Sequence, residues 1–140
     1  MAKVVIDANV IISAVFGGRP LEAIVRAMEE HEVYLSQPIE QELQGVILQL
    51  SKKLSEEQIT FIQEKMEQIV DMAKHVTVSI HVVLSRDAKD DHYLSLCKEV
   101  EADFLITGDK DLLNISEALL KKNGISCQII PPQAFLNIVP

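Results

Sequence analysis

The sequence KVVIDANVIISAV, at residues 3–15, largely decides the fold class of this chain. Its β-branched start predicts a buried strand, Asp7 follows at once, and the apolar residues after Asn9 predict a buried helix. A similar order of strand, acid and helix returns in FLITGDKDLL at residues 104–113. Two such units predict parallel strands that are connected by helices.

The rest of the chain continues this alternation, because helical periodicity and strand-like runs follow one another throughout. The further predicted elements are a helix at 21–31, a strand at 33–35, a helical hairpin at 38–74 with a capping box at Ser55 and Gln58, a strand at 76–80, a helix from about Asp90, a helix at 112–122 and a strand at 127–130. We expect an α/β fold of one domain spanning 1–140. Its form would be a three-layer α/β/α sandwich with a central, mainly parallel sheet of about five strands and Rossmann-like topology.

Composition favours a cytoplasmic protein that does not enter membranes. Hydrophobic residues make up 48% of the 140 residues and tryptophan is absent, so aliphatic side chains must build the core. Cys97 and Cys127 lack the spacing of a zinc site or a disulfide framework, which suits a reducing compartment. No apolar run approaches the roughly 18 residues of a transmembrane helix.

The formal net charge of −8 argues against a nonspecific nucleic-acid binder, whose affinity comes largely from Lys and Arg. The objection weakens if carboxylates hold divalent cations. Two bound ions would halve this charge and reverse the local field where a substrate lies. Net charge alone therefore does not exclude an anionic substrate.

Acidic residues at the carboxyl ends of strands indicate where the chemistry occurs. Ligands of open parallel sheets bind at this edge, and both Asp7 and Asp109 directly follow strand-like runs. An Asp after a strand is also a common helix N-cap, so each residue alone is ambiguous. Asp90 and Asp91 open the next helix, and we expect Asp91 at the site and Asp90 as a cap or a support.

Glu42 is the remaining acidic candidate. It lies nearer the centre of the apolar stripe of its helix than Glu40, by roughly 20° at 100° per residue, although a solvated surface carboxylate is the simpler interpretation of both. If Asp7, Glu42, Asp91 and Asp109 converge, their mutual repulsion requires a cation. All-oxygen ligation selects Mg²⁺ or Mn²⁺, and phosphodiester hydrolysis is the reaction that follows.

Four segments together resemble a known family. They are VIDANVIIS at residues 5–13, SQP at 36–38 followed by Glu42, RDAKDDHYL at 86–94 and ADFLITGDKDLL at 102–113. In this order they are similar to the PIN-domain ribonucleases, and in particular to the VapC-like toxin components of toxin–antitoxin pairs. The resemblance extends over essentially the whole chain, although no single segment is diagnostic.

The resemblance implies a set of functional residues. Asp7, Glu42, Asp91 and Asp109 would be the catalytic, metal-binding acids, with Asn9 and Thr107 as polar support and with Asp90 and Asp111 as supporting residues or alternatives to their neighbours. It also implies cleavage of single-stranded RNA, a homodimer and, for the toxin branch, an antitoxin partner.

We expect an in-line attack of water on a backbone phosphate, with Asp91 or Asp109 as the candidate general base. Candidates for phosphate contacts are Arg19, Arg86, Lys89 and Lys110, although charged loops are usually only solvated. His92, next to Asp91, is a weaker candidate for a catalytic base, and we expect it to be an ordinary surface residue in the first turn of its helix.

Two alternative functions stay open. The first is a noncatalytic PIN-like module that binds RNA or a protein, which the charge of −8 favours. The second is a phosphoacceptor receiver-like domain, which also gathers acids at strand ends around Mg²⁺. A receiver needs an acidic pair after its first strand, whereas this chain has the single Asp7 followed by Asn9.

Overall fold

A computed structural model describes residues 1–84 and 90–138, and within these ranges the chain forms five strands and eight helices. The strands are β1 (Lys3–Ile6), β2 (Glu32–Leu35), β3 (Lys74–His75), β4 (Phe104–Ile106) and β5 (Gln128–Ile130). The helices are α1 (Ala8–Ala14), α2 (Gly18–Glu30), α3 (Gln37–Leu50), α4 (Glu56–Met72), α5 (Asp91–Val100), α6 (Lys110–Leu113), α7 (Glu117–Lys122) and α8 (Pro132–Ile138).

The strands form one parallel sheet in the order β3-β2-β1-β4-β5. The chain moves from β1 through β2 to β3 on one side and then returns to place β4 on the other side of β1. The strand order therefore reverses between β1 and β4, which is where open α/β sheets bind their ligands. This sheet confirms the predicted α/β class.

Helices cover both faces of the sheet. On one face α1 packs against α2, α3 and α4, and α2 contacts β2 and α8, whereas α5 packs on β1 and β4. Right-handed crossovers place α5 on the face opposite α1–α4, because its connection runs back across the sheet. The central strands are fully buried from Val4 to Ile6 and at Leu105 and Ile106, as expected for parallel strands covered on both sides.

The predicted strand at 76–80 is wrong, because β3 contains only Lys74 and His75. Residues 76–84, the 76–84 segment below, run without regular secondary structure beside α5. Hydrogen bonds to side chains of α5 hold the segment: Ser79 N to Glu99 Oε1 (2.8 Å), Val82 N to Ser95 Oγ (2.9 Å) and Leu84 N to Asp91 Oδ1 (3.0 Å). Beyond Val76, whose N–H donates to Leu35 O at the end of β2, its alternating apolar residues reflect packing against the core and not sheet pairing.

The predicted helix at 112–122 is divided into α6 and α7. Ser116 starts the second of these helices, since its Oγ accepts a hydrogen bond from Leu119 N at 3.2 Å. A side-chain cap of this kind replaces the missing helical acceptor and makes a new helix start favourable. The predicted capping box is present, with Gln58 N donating to Ser55 Oγ and Ser55 N donating to Gln58 Oε1.

Cys97 and Cys127 are buried free thiols, and the hydrogen bond between them together with burial raises the pKa of Cys97. In the part of the chain that the structure describes, no single helix is long and apolar enough to cross a membrane. The bent pair α1 and α2 would qualify by length and composition only.

Candidate active site

The candidate site lies at the carboxyl edge of the sheet, at the point where the strand order reverses. Asp7 follows β1 and Asp109 follows β4 after two intervening residues. These two strands pair directly, with Ile6 opposite Ile106. The parallel register therefore brings both acids to the same end of the sheet, as the sequence predicts.

Asp7 caps α1 and also accepts a hydrogen bond from the end of β4. Its side chain is only 3% exposed, and its Oδ1 accepts a hydrogen bond from Asn9 N at 2.9 Å at the start of α1. Its Oδ2 accepts a second bond from Thr107 Oγ1 at 2.6 Å. The two interpretations of this residue are therefore compatible, because each oxygen has its own partner.

Thr107 connects the ends of the two central strands. Its buried hydroxyl donates to Asp7 Oδ2 and accepts a hydrogen bond from Asp109 N at 3.0 Å. The hydroxyl thus fixes the Asp7 carboxylate relative to the turn that carries Asp109. This contact is a physical basis for the supporting role predicted for Thr107.

Thr107→Val removes both hydrogen bonds and keeps the shape of the side chain. Because Asp109 N and Asp7 Oδ2 then lose a partner, we expect unfolding to become easier by about 1–3 kcal/mol, with Thr107→Ser much less affected. Urea unfolding followed by circular dichroism measures the difference. Equal stability of the Val variant and the native protein would contradict a structural role for this hydroxyl.

Three carboxylates come together beyond β4, near Thr107, which hydrogen-bonds to Asp7. Oxygens of Asp90, Asp109 and Asp111 all lie within 4.8 Å of one another, and Asp109 Oδ1 also accepts a hydrogen bond from Asp111 N at 2.8 Å. Two oxygens on one Mg²⁺ are at most about 4.2 Å apart, twice the metal–oxygen distance. Small side-chain rotations would therefore suffice to fit one hard divalent ion, and the donor set is the one such an ion prefers.

The two acids at the start of α5 have different surroundings. Asp90 occupies the N-cap position, yet within the described residues its side chain makes no capping hydrogen bond to α5 and lies with Asp109 and Asp111. Asp91 is 8% exposed, and its Oδ1 accepts from Leu84 N. Successive helical residues differ by about 100° in direction, which explains the divergence. The geometry favours Asp90 over the predicted Asp91 as the acid beside Asp109.

Glu42 reaches the site through Tyr93, a residue that the sequence analysis did not single out. The Tyr93 hydroxyl lies 2.7 Å from Glu42 Oε2 and 3.1 Å from Asp7 Oδ1, and it accepts a hydrogen bond from Ala8 N at 2.9 Å. Burial and the negative charges of Asp7 and Glu42 raise the pKa of Tyr93 well above its ordinary value. Tyr93 therefore stays a neutral donor between the two carboxylates.

His92 is not an ordinary surface residue, and that expectation is wrong. Its Nε2 pairs with Glu42 Oε1, and its ring lies 4.1 Å from the ring of Tyr93 between centroids. The spacing of Asp90 and Tyr93, three residues apart, is a helical signal that could have placed Tyr93 near the acids. The pairing of His92 with Glu42 joins residues 50 apart and leaves no local signal.

The four cations predicted to contact phosphates are not equally placed. Lys110 is exposed and begins α6 between Asp109 and Asp111. Arg19 is exposed and forms an ion pair with Glu22 at 3.6 Å, and Arg86 and Lys89 lie outside the described residues.

A groove of about 400 Å³ runs beside the acids and is lined by Asn9, Val10, Ser13, Pro20, Gly108, Asp109 and Pro132.

Comparison with known proteins identifies the family. The family model described as PIN domain matches residues 3–111, which contain all the acids discussed above. The chain belongs to the PIN domain family. A crystal structure of VapBC2 from Rickettsia felis, bound to a DNA fragment from their promoter, is similar with a TM-score of 0.61 and 14% identity, over 91% of this chain and 98% of that chain. At this identity the likeness concerns the fold alone, and no curated protein matches significantly.

Proposed function

We propose that this PIN domain is a metal-dependent ribonuclease that hydrolyses phosphodiester bonds in single-stranded RNA. The observation that carries the proposal is the meeting of Asp90, Asp109 and Asp111 within 4.8 Å, at the sheet edge where the strand order reverses and where Thr107 connects Asp7 to Asp109. Carboxylates at such distances repel one another strongly unless a cation is shared. A site of this kind suits a substrate that brings further negative charge.

Mg²⁺ or Mn²⁺ fits this donor set, with Asp90, Asp109 and Asp111 as the residues that would hold it and Asp7 connected to Asp109 through Thr107. When bound, such an ion supplies Lewis-acid stabilisation of charge on the phosphate and makes water a better nucleophile near neutral pH. Asp91, whose carboxylate lies against Leu84 N, stays a weaker candidate for a ligand.

The remaining residues hold these acids in place. Thr107 fixes Asp7 relative to Asp109. The hydroxyl of Tyr93 lies at hydrogen-bond distance from both Asp7 and Glu42 and so holds the two carboxylates near each other. The pair of Glu42 and His92 sits on the same side and could take up a proton from the attacking water or return one to the leaving oxygen. We assign the general base to Asp109, which is one of the three acids, or to the pair of Glu42 and His92, which Tyr93 connects to Asp7.

The overall charge of −8 is compatible with RNA only if binding depends on the ion. Without cations the acidic edge repels phosphates, and among the described residues that were candidates for phosphate contacts Lys110 is the one that borders the acids. We therefore propose that RNA affinity is weak in metal-free protein and rises when Mg²⁺ or Mn²⁺ is added.

We further propose that the protein is the toxin of a toxin–antitoxin pair. The family match and the likeness of its fold to a VapBC2 structure support this role. An antitoxin partner, a homodimer, a cytoplasmic location and a single domain over 1–140 belong to the same proposal.

Cleavage of a labelled single-stranded RNA tests the proposal directly. We expect products with Mn²⁺ or Mg²⁺, none with EDTA, and a loss of about a thousandfold in Asp7→Asn, which corresponds to about 4 kcal/mol of transition-state stabilisation. Asp71→Asn is the matched control, because it makes the same chemical change at an exposed position near the end of α4. In cells, the native chain should arrest growth and Asp7→Asn should not.

The two alternatives predict other outcomes of the same assay. Binding of RNA without cleavage, equal in the native protein and Asp7→Asn, would support a noncatalytic module and contradict the nuclease. Stable incorporation of phosphate from a small phosphodonor would support a receiver-like domain. Equal cleavage by the native protein and Asp7→Asn would indicate a contaminating nuclease and would refute the assignment of the site.

A further inference from the structure

A second cavity lies beside the acidic site, and Asp91 and His92 line it. Its volume is about 560 Å³, and it lies between the start of α3, the 76–84 segment and the start of α5. Pro38, Val76, Val78 and Val82 supply apolar surface, and Ser36 and His92 supply polar groups. Cavities that bind small organic groups commonly combine such apolar walls with a few polar atoms.

Two residues that line the cavity each carry a buried polar atom without a hydrogen-bond partner among the described residues. Ser36 is 2% exposed, and its Oγ is buried without a partner; it also makes no capping bond to α3. The Nδ1 atom of His92 is likewise buried without one, while Nε2 of the same ring pairs with Glu42. Each atom exposes less than 1 Å² of surface, so a ligand in the cavity gains a hydrogen bond to it only when the side chain rotates toward the cavity, as a serine hydroxyl can by changing rotamer.

The walls of the cavity are held in place without a ligand. Val76 N donates to Leu35 O at 2.9 Å at one end of the 76–84 segment, and Leu84 N donates to Asp91 Oδ1 at the other. Between them, Val82 N donates to Ser95 Oγ, whose hydroxyl in turn donates to Asp91 O. A preformed cavity of this kind loses little ordering entropy on binding, which favours a small, rigid ligand.

The position of the cavity connects it to the acidic site. His92 lines the cavity and also pairs with Glu42, which shares the Tyr93 hydroxyl with Asp7. A group bound in the cavity is therefore only a few side chains away from the acids at the strand ends. Neighbouring nucleotides of a single strand can span such a separation, because single-stranded bases can be splayed away from the backbone.

We propose that this cavity binds one nucleobase of the RNA substrate and so determines which sequences are cleaved. A base is flat, has apolar faces and carries donors and acceptors along its edge, which matches the aliphatic walls and the groups of Ser36 and His92. The inference rests on the proposed ribonuclease function, because it assigns a specificity site to that reaction.

Nucleoside binding in EDTA tests the cavity separately from catalysis. The probes are adenosine, guanosine, cytidine and uridine, and NMR spectra report shifts of the Val76, Val78 and Val82 methyl groups. We expect at least one nucleoside to bind, and Val78→Phe, whose larger side chain narrows the cavity, to weaken that binding about tenfold or more. Val25→Phe, an equal enlargement at an exposed position on α2, should leave it unchanged.

Cleavage of a randomised single-stranded RNA pool in Mn²⁺ gives the second readout. The native protein should show a base preference near the cut, and both Val78→Phe and Ser36→Ala should reduce it while retaining cleavage. Ser126→Ala is the exposed control. Ser36→Ala also keeps the test valid if Val78→Phe fails to fold, because it removes a single atom.

The outcomes separate the two proposals. Nucleoside binding without RNA cleavage would refute the ribonuclease and leave a base-binding cavity. Cleavage with a preference that neither variant changes, together with no methyl shifts, would overturn the cavity and leave the ribonuclease. Methyl shifts on addition of a protein partner but not of nucleosides would likewise overturn the inference, since the cavity would then be a protein-docking site.

Discussion

Asp90→Asn is expected to lower the rate of metal-dependent RNA cleavage about a thousandfold or more, whereas Asp91→Asn should keep a rate within about tenfold of that of the native protein. The reason is geometric. The Asp90 carboxylate lies with Asp109 and Asp111, whereas Asp91 Oδ1 accepts a hydrogen bond from Leu84 N. An asparagine at position 91 keeps a carbonyl oxygen for that bond, but one at position 90 removes a negative ligand.

The two variants are matched, because each removes one negative charge from adjacent residues at the same helix start. Calorimetric titration with Mn²⁺ should show much weaker binding for Asp90→Asn than for Asp91→Asn, and circular dichroism should show both folded. The reverse ranking, with Asp91→Asn inactive and unable to bind Mn²⁺, would restore the choice that the family resemblance implies and contradict the assignment of Asp90.

Tyr93 is the position where we expect the largest loss of stability. The side chain is 1% exposed, and its hydroxyl lies at hydrogen-bond distance from Ala8 N, Asp7 Oδ1 and Glu42 Oε2. Tyr93→Ala creates a cavity in the core and should cost about 3–5 kcal/mol of the free energy of unfolding. Tyr93→Phe keeps the ring and should cost about 1–3 kcal/mol, because buried polar atoms lose their partner.

Tyr93 also predicts a dependence of stability on alkaline pH. Because burial and the neighbouring carboxylates raise the pKa of Tyr93, the folded protein keeps a proton that the unfolded chain releases above about pH 10. The stabilisation of the folded state by protonated Tyr93 is therefore complete below about pH 10 and is lost as the pH rises through the raised pKa of the folded protein. Urea unfolding at several pH values should show this decline in the native protein and a weaker one in Tyr93→Phe. The same pH dependence of the free energy of unfolding in both proteins would contradict a raised pKa of Tyr93.

The acids illustrate how far local sequence signals reach. Asp7 and Asp109 follow strand-like runs, and the rule that parallel strands end at one edge was sufficient to bring them together. The same signals could not separate capping from a place in the site, and in the structure one oxygen of Asp7 caps α1 while the other accepts a hydrogen bond from Thr107. Capping uses one carboxylate oxygen and leaves the other for a different partner, so the two roles do not exclude each other.

The choice between Asp90 and Asp91 could not be made from the sequence, because it depends on the orientation of the first turn of α5. That orientation is set by packing of the helix on β1 and β4. The same packing brings Tyr93 to Asp7, which is 86 positions away in the sequence, and His92 to Glu42, which is 50 positions away. Pairings of this separation have no signature in local composition or periodicity.

The sequence by itself determined the α/β class, the parallel sheet and the concentration of acids at its carboxyl edge, because strand and helix periodicities and strand-end acids are local patterns. Only the tertiary structure decided that 76–84 lies along α5 and not in the sheet, that Asp90 faces Asp109, and that Tyr93 joins Asp7 to Glu42. These outcomes depend on which side chains satisfy buried polar groups across the fold. That competition is settled only when all the elements are packed together.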